Sequence, residues 1–249
     1  MGLAAPGLGM EVRGERQCRD CDTRWSYYET GSVTCPTCGS PRSVGVDEPT
    51  RHTDGPATLD LDEARSAAAA DRTEEATRLA ARAAREYCAT RGFVAAGDLE
   101  PLDGTYVAAR ELEATAGLLG TRRRPDDAAT AYFLALLRGA PDGDRPDDVP
   151  ESMWGARGLG VARAVGDYRG EVATWIRDDE GRADGAARDL LERLADHATR
   201  VEALDGDVDP ETAATLLAAA RALGTALRED DGDARDAARA ALEALEPAG

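Results

Sequence analysis

CRDCDTRWSYYETGSVTCPTCG, residues 18–39, decides how the first fifth of the chain folds. Cys18 and Cys21 are followed, after thirteen residues, by Cys35 and Cys38, a C-x2-C pair answering a C-x2-C pair. Each pair suits a tight knuckle with its sulfur atoms and turn amides facing one point, and four thiolates at ~2.3 Å from an ion make a closed tetrahedral zinc site. Gly39 directly follows the second pair, where a left-handed backbone is expected, and Asp22 holds the equivalent place after the first. The stretch between the pairs, TRWSYYETGSVTC, reads as a strand, a turn over Glu29 to Ser32, and a second strand. Two disulfides fit poorly, because nothing marks secretion and C-x2-C is cramped for bridging. A redox pair would need a βαβ unit that neither pair has. Iron of the rubredoxin kind uses the same ligands, and the sequence leaves it open. The expectation is one Zn2+ per chain on Cys18, Cys21, Cys35 and Cys38, with no ligand position left for water or substrate, folding a segment too small for a core of its own.

On CRDC, CPTCG and the intervening hairpin, residues from about Val12 to Val46 resemble the zinc-ribbon superfamily. The nearest resemblance is to haloarchaeal proteins of uncharacterised function containing a ribbon of transcription factor B type. That resemblance implies a docking module for polymerase, nucleic acid or other proteins. It does not extend beyond the ribbon, where neither a duplicated cyclin-like pattern nor a basic face is found. Arg24, Trp25, Tyr27 and Tyr28 are the candidate partner-binding residues, standing where aromatics and Arg interleave. On a strand Trp25 and Tyr27 would share one face and Tyr28 the other. The favoured expectation has Trp25 and Tyr27 covering the knuckles or packing onto helices; the alternative has exposed members stacking on bases or anchoring a protein.

Outward from the cysteines the composition changes. The 249 residues carry 48 acids against 30 Arg, with no Lys and no Asn, 49 Ala and a single Ile, for a net charge of −18. Residues 11–46 are neutral, with five Arg and five acids, so the whole excess lies beyond Asp47. Without Lys there is no phosphate-loop GK[ST], no Schiff base and no lysine nucleophile, and two isolated His leave little for acid–base work. No enzyme is therefore expected. The acid excess fits an extreme halophile, since multimolar salt shortens the screening length to below ~3 Å. No apolar run approaches the ~20 residues of a membrane span, and MGLAAPGLG lacks the features of a signal peptide, so a soluble cytoplasmic protein is expected.

Residues 1–10 read as a disordered tail, 11–46 as the ribbon, 47–58 as a polar linker and 59–249 as an acidic helical domain. Met10 offers a second translation start. The fold class is mainly α, a small N-terminal β zinc ribbon followed by about eight antiparallel helices. These run over about 61–90, from 103 to 120, from Pro125 to 139, over 151–165, 167–177 and 183–204, from Pro210, and over 234–245. Tyr106, Tyr132 and Tyr168 fit no fixed repeat near 34 residues. Cys88 reads as a buried helical thiol, His52 as solvated and His197 as half-exposed. Gly158 and Gly160 read as helix-packing positions, and Asp205, Asp207 and Asp209 as a failed calcium loop. Arg122 to Arg124 read as internal ion-pair partners. The function expected is a non-enzymatic adaptor or scaffold with a protein partner and no small-molecule substrate or membrane. The alternative is a transcription-related regulator binding nucleic acid through the ribbon.

Overall fold

A computed structural model describes residues 10–121 and 126–246. Mainly helical architecture with a small N-terminal β region, as expected, is what the chain adopts. The ribbon holds β2 (Glu15–Cys18), β3 (Arg24–Ser26) and β4 (Ser43–Gly45), an antiparallel sheet in the order β3-β2-β4. Its third strand therefore lies after the second cysteine pair. Where a second strand was expected between the pairs, a helical turn, α1 (Tyr27–Thr30), follows β3 directly. The reason is local. Ser26 and Glu29 form an S-x-x-E pattern, Ser26 Oγ accepts the Glu29 N–H, and Gly31 ends the turn at φ 61°.

The stretch expected to be a linker contains a strand. β5 (Thr50–His52) pairs antiparallel with β1 (Met10–Val12), placing Met10 opposite His52 and Val12 opposite Thr50. Met10, assigned from sequence to the tail, thus opens β1, and residues 1–9 lie outside the described residues.

Eight further helices build the body among the described residues: α2 (Asp62–Ala69), α3 (Thr73–Thr90), α4 (Gly104–Thr121), α5 (Asp127–Gly139), α6 (Trp154–Asp178), α7 (Gly185–Ala203), α8 (Pro210–Glu229) and α9 (Gly232–Ala244). The helix expected over 61–90 is split, because Asp71 turns left-handed at φ 56° and the Arg72 amide returns to the Ala67 carbonyl. Conversely, the two helices expected over 151–177 are one, since an isolated glycine such as Gly166 costs a helix only ~1 kcal/mol. Caps are mostly the Asp residues ahead of each start: Asp126, Asp184, Asp209 and Asp231 each accept a first-turn N–H. The expected opening at Pro125 and the run Arg122 to Arg124 fall outside the described residues.

α4 lies between α3 and α6, and α6 also packs on α7 and α8. Close approach is built into the sequence: a Cβ at Gly160 would stand 2.4 Å from the Glu111 Cα. In the core Phe93 sits edge-on to Tyr106 and Tyr168, with ring centres 4.7 and 4.9 Å away. Between α3 and α4 a short hairpin, β6 (Val94–Ala95) and β7 (Asp98–Leu99), turns through Ala96 and Gly97, both with positive φ. No described helix is long and apolar enough to cross a membrane.

Candidate metal centre

The two cysteine knuckles are copies of one another. Cys18 N–H donates to the Thr23 carbonyl and Asp22 N–H to the Cys18 carbonyl; seventeen residues along the same pattern recurs, Cys35 N–H to the Ser40 carbonyl and Gly39 N–H to the Cys35 carbonyl. The turns require a left-handed residue four positions after the first cysteine of each pair, and they have it in Asp22 (φ 59°) and Gly39 (φ 71°). Across the knuckles Arg19 N–H donates to the Arg42 carbonyl, and Asp20 accepts both Ser40 Oγ at 2.5 Å and the Arg42 guanidinium at 2.9 Å.

This pairing brings the four sulfur atoms together, all within 4.8 Å of one another. Cys18 Sγ lies 3.7 Å from Cys38 Sγ and Cys21 Sγ 3.6 Å from Cys35 Sγ. Sulfurs ~2.3 Å from a central ion in a tetrahedron stand ~3.8 Å apart, close to these two spacings, so the cluster could hold a metal ion. Cys18 and Cys35 are buried, whereas Cys21 and Cys38 form the exposed rim. Hydrogen bonding with the Thr23 hydroxyl and amide holds the Cys21 thiol down at about 6. At Cys38 the Ser40 amide also pulls downward, but the Cys21 sulfur, burial and the other two sulfurs outweigh it and push that thiol up to about 12. A cation held here would favour the thiolate form of its ligands.

The candidate partner residues part company. Trp25 points inward, packed with Cys18 and Cys35 as the ribbon's whole apolar core, its indole N–H donating to the Ser32 carbonyl at 3.0 Å. Tyr27 and Tyr28 leave the strand for α1, so the expected alternation of faces does not apply. Tyr28 lies over Gly14, where a Cβ would be 1.9 Å from its ring, and against His52 at 4.5 Å between ring centres. Its hydroxyl is 2.6 Å from Thr50 Oγ1. Tyr27 is edge-on to the same imidazole, and only Arg24 of the four is exposed. His52 is accordingly half-buried instead of fully solvated. Its Nδ1 accepts the Ala96 N–H at 3.3 Å, and burial lowers its pKa.

β5 and the residues after it carry the ribbon onto the helical body. Arg51 pairs with Asp178 at the end of α6, with one N–O distance of 2.8 Å. Thr53 donates its hydroxyl to Glu171 Oε2 at 2.5 Å and accepts the Val94 N–H at 3.0 Å, and Phe93 N–H reaches the same carboxylate oxygen at 2.7 Å. Burial raises the Glu171 pKa despite these two donors. Arg91 pairs with Asp54 and with Asp103, and Gly97 N–H bonds the Arg51 carbonyl at 2.9 Å. None of this was readable from sequence, since the partners stand up to 127 residues apart and no local pattern marks them.

Elsewhere Cys88 is buried in α3, and burial pushes its thiol up to about 12, as a structural cysteine requires. Asp209 caps α8, which accounts for its place in the acidic run.

No curated protein and no solved structure is significantly similar to the chain. One family model matches it, over residues 10–242, beginning at the first residue of β1 and running through the ribbon, the connecting strand and nearly all of α9. With ribbon and helices covered as a single unit over most of its length, the chain belongs to the family of unknown function DUF7117.

Proposed function

We propose that the chain is a non-enzymatic adaptor of the cytoplasm, in which one structural zinc ion holds a ribbon that is fastened to a helical scaffold and offered to a protein partner. The observation that carries this reading is the conjunction of four sulfurs at tetrahedral spacing with the bonds of residues 50–54 to α6 and the β6–β7 hairpin. A four-thiolate shell has no open position, so the ion supplies folding energy rather than a reactive water. Iron of the rubredoxin kind would take the same four-thiolate tetrahedron, so elemental analysis decides between the two metals. Two hollows on the helical body, of about 350 and 340 Å³, have chiefly apolar walls, and the larger brings only His197, Arg200 and Thr212 to its polar side. Arg200 is already bonded to the Leu245 carbonyl. The halophilic reading of the −18 charge supports assays in multimolar salt.

Among the described residues of the ribbon the exposed large apolar side chains are Val33 and Val46, and the reading takes these as the positions a partner would cover. The test is capture from a cell extract in multimolar salt, using the intact chain and Val33→Asp/Val46→Asp, together with elemental analysis. One equivalent of zinc and a reproducible partner lost in the variant support the reading. No reproducible partner, or less than about half an equivalent of metal, overturns it.

A second reading, a nucleic-acid-binding regulator related to the transcription factor B type ribbon, is favoured by Arg19 and Arg24, which are exposed and make no ion pair among the described residues. The inward turn of Trp25 removes its best stacking surface. Salt-dependent binding of a mixed-sequence oligonucleotide that weakens in Arg19→Ala/Arg24→Ala would put this reading first.

A further inference from the structure

The solvent face of α5 differs from the charged surface around it. Between Asp127 and Arg138 the helix reads AATAYFLALL, ten residues without a charge in a chain that is 31% charged. Tyr132, Phe133, Leu136 and Leu137 are buried, as the core requires. The exposed positions are Asp127, Ala128, Ala131, Leu134 and Arg138. Asp127, Ala131, Leu134 and Arg138 follow one another at i, i+4, i+7 and i+11, a single stripe along the helix. Leu134 is one of four large apolar side chains exposed among the described residues, at 36%.

Beside this stripe lies the groove of about 340 Å³ whose walls include Ala128, Ala131, Tyr132 and Ala135, closed on the far side by Pro146 and Pro150. Those four α5 residues are centred about 110° around the helix from Leu134, toward residues 146–150, so the groove flanks the stripe and is not part of it. Each copy of the chain thus presents, on one stripe, an exposed leucine and, three residues before it, the small Ala131.

The ends of the stripe identify the occupant. Asp127 opens α5 and Arg138 lies in its last turn, ~16 Å apart along the axis, and neither has an ion-pair partner among the described residues. Two α5 helices packed antiparallel about a twofold axis bring Asp127 of each copy opposite Arg138 of the other. The same axis sets each Leu134 opposite Ala131 of the other copy, a large side chain over a small one. Charge register and side-chain register therefore agree. A partner unrelated to this chain has no reason to satisfy both.

We propose that α5 is a self-association surface, a second copy of this chain being its occupant. A single helix pair with the 146–150 loop beside it buries on the order of 1,000 Å², at the weak end of specific interfaces. The dimer is therefore weak, and its population rises with protein concentration.

Sedimentation equilibrium of the full chain in multimolar salt, from about 1 to 300 µM, reads this directly. The weight-average mass rises from 26.2 kDa toward twice that value. Leu134→Glu, a change at an exposed position, weakens association at least ~10-fold with helical circular dichroism unchanged. Leu204→Glu, at another exposed leucine outside the groove, leaves association as it was. Asp127→Arg weakens it at reduced salt, and Asp127→Arg/Arg138→Asp restores it. A chain that stays at monomer mass throughout, a dimer indifferent to Leu134→Glu, or a dimer lost equally in Leu204→Glu overturns the proposal.

Discussion

Replacing Cys18 by Ser removes one of four thiolates and one of the three residues in the ribbon's apolar cluster. Trp25 is the only large side chain in that cluster, and burying ~200 Å² at about 25 cal/mol/Å² gives it about 5 kcal/mol. A structural zinc ion supplies ~10–16 kcal/mol in small metal domains, so the ion and not the core holds the ribbon folded. Loss of metal should unfold residues of about 11–46. The helical signal should barely move: only four helical residues, Tyr27–Thr30, lie in the ribbon, against 18, 18, 25, 19 and 20 in α3, α4, α6, α7 and α8. Less than about 4 per cent of the far-ultraviolet helical ellipticity should therefore be lost in Cys18→Ser. Amides of residues 15–18 and 43–46 should lose hydrogen-exchange protection while those of α4 and α6 keep theirs. A loss of more than about 20 per cent of ellipticity would refute the separation of the two folding energies. So would a Cys18→Ser protein that keeps a full equivalent of zinc.

Three further perturbations test the fastening and the body. Thr53→Val keeps the shape but removes the hydroxyl that donates to Glu171 and accepts from Val94, so urea unfolding should show a loss of ~2–4 kcal/mol; a change under ~0.5 kcal/mol would mean the bond contributes nothing. Because burial raises Glu171 above its ordinary value of ~4.3, the native chain holds more protons than the unfolded one between those two values, and stability from this group falls as pH rises through that window. The stability difference of Glu171→Gln minus the parent should thus grow more positive from pH ~4 upward and then level off; a flat difference across that range sinks the assignment. Glu111, fully buried between Arg145 at 3.0 Å and Arg157 at 3.1 Å, leaves two cations uncompensated when replaced by Ala, a cost of ~3–5 kcal/mol by chemical denaturation, whereas a near-neutral change would contradict the network.

The fold class and the gathering of the four cysteines were legible because both rest on short-range patterns. C-x2-C spacing fixes where two sulfurs of a knuckle point, and even the left-handed turns at Asp22 and Gly39 follow from that local geometry. Helical periodicity with Asp, Pro and Gly at the ends likewise located most helices, and erred where a single residue tips the balance, at Asp71, which breaks a helix, and Gly166, which does not. The S-x-x-E signal at Ser26 was present and would have converted the expected second strand into α1. What only tertiary structure decided is where the ribbon sits. Thr50 to Asp54 has no period of its own, and its strand exists because Met10–Val12 supplies one edge and Val94, Gly97, Glu171 and Asp178 supply partners from 40 to 127 residues away. Trp25 turns inward for the same kind of reason: two knuckles distant in sequence close over one point, and the largest apolar side chain between them is the one that fills it. Local spacing can name the ligands, but burial is a property of the assembled neighbours, and those are set by contacts that no window of sequence contains.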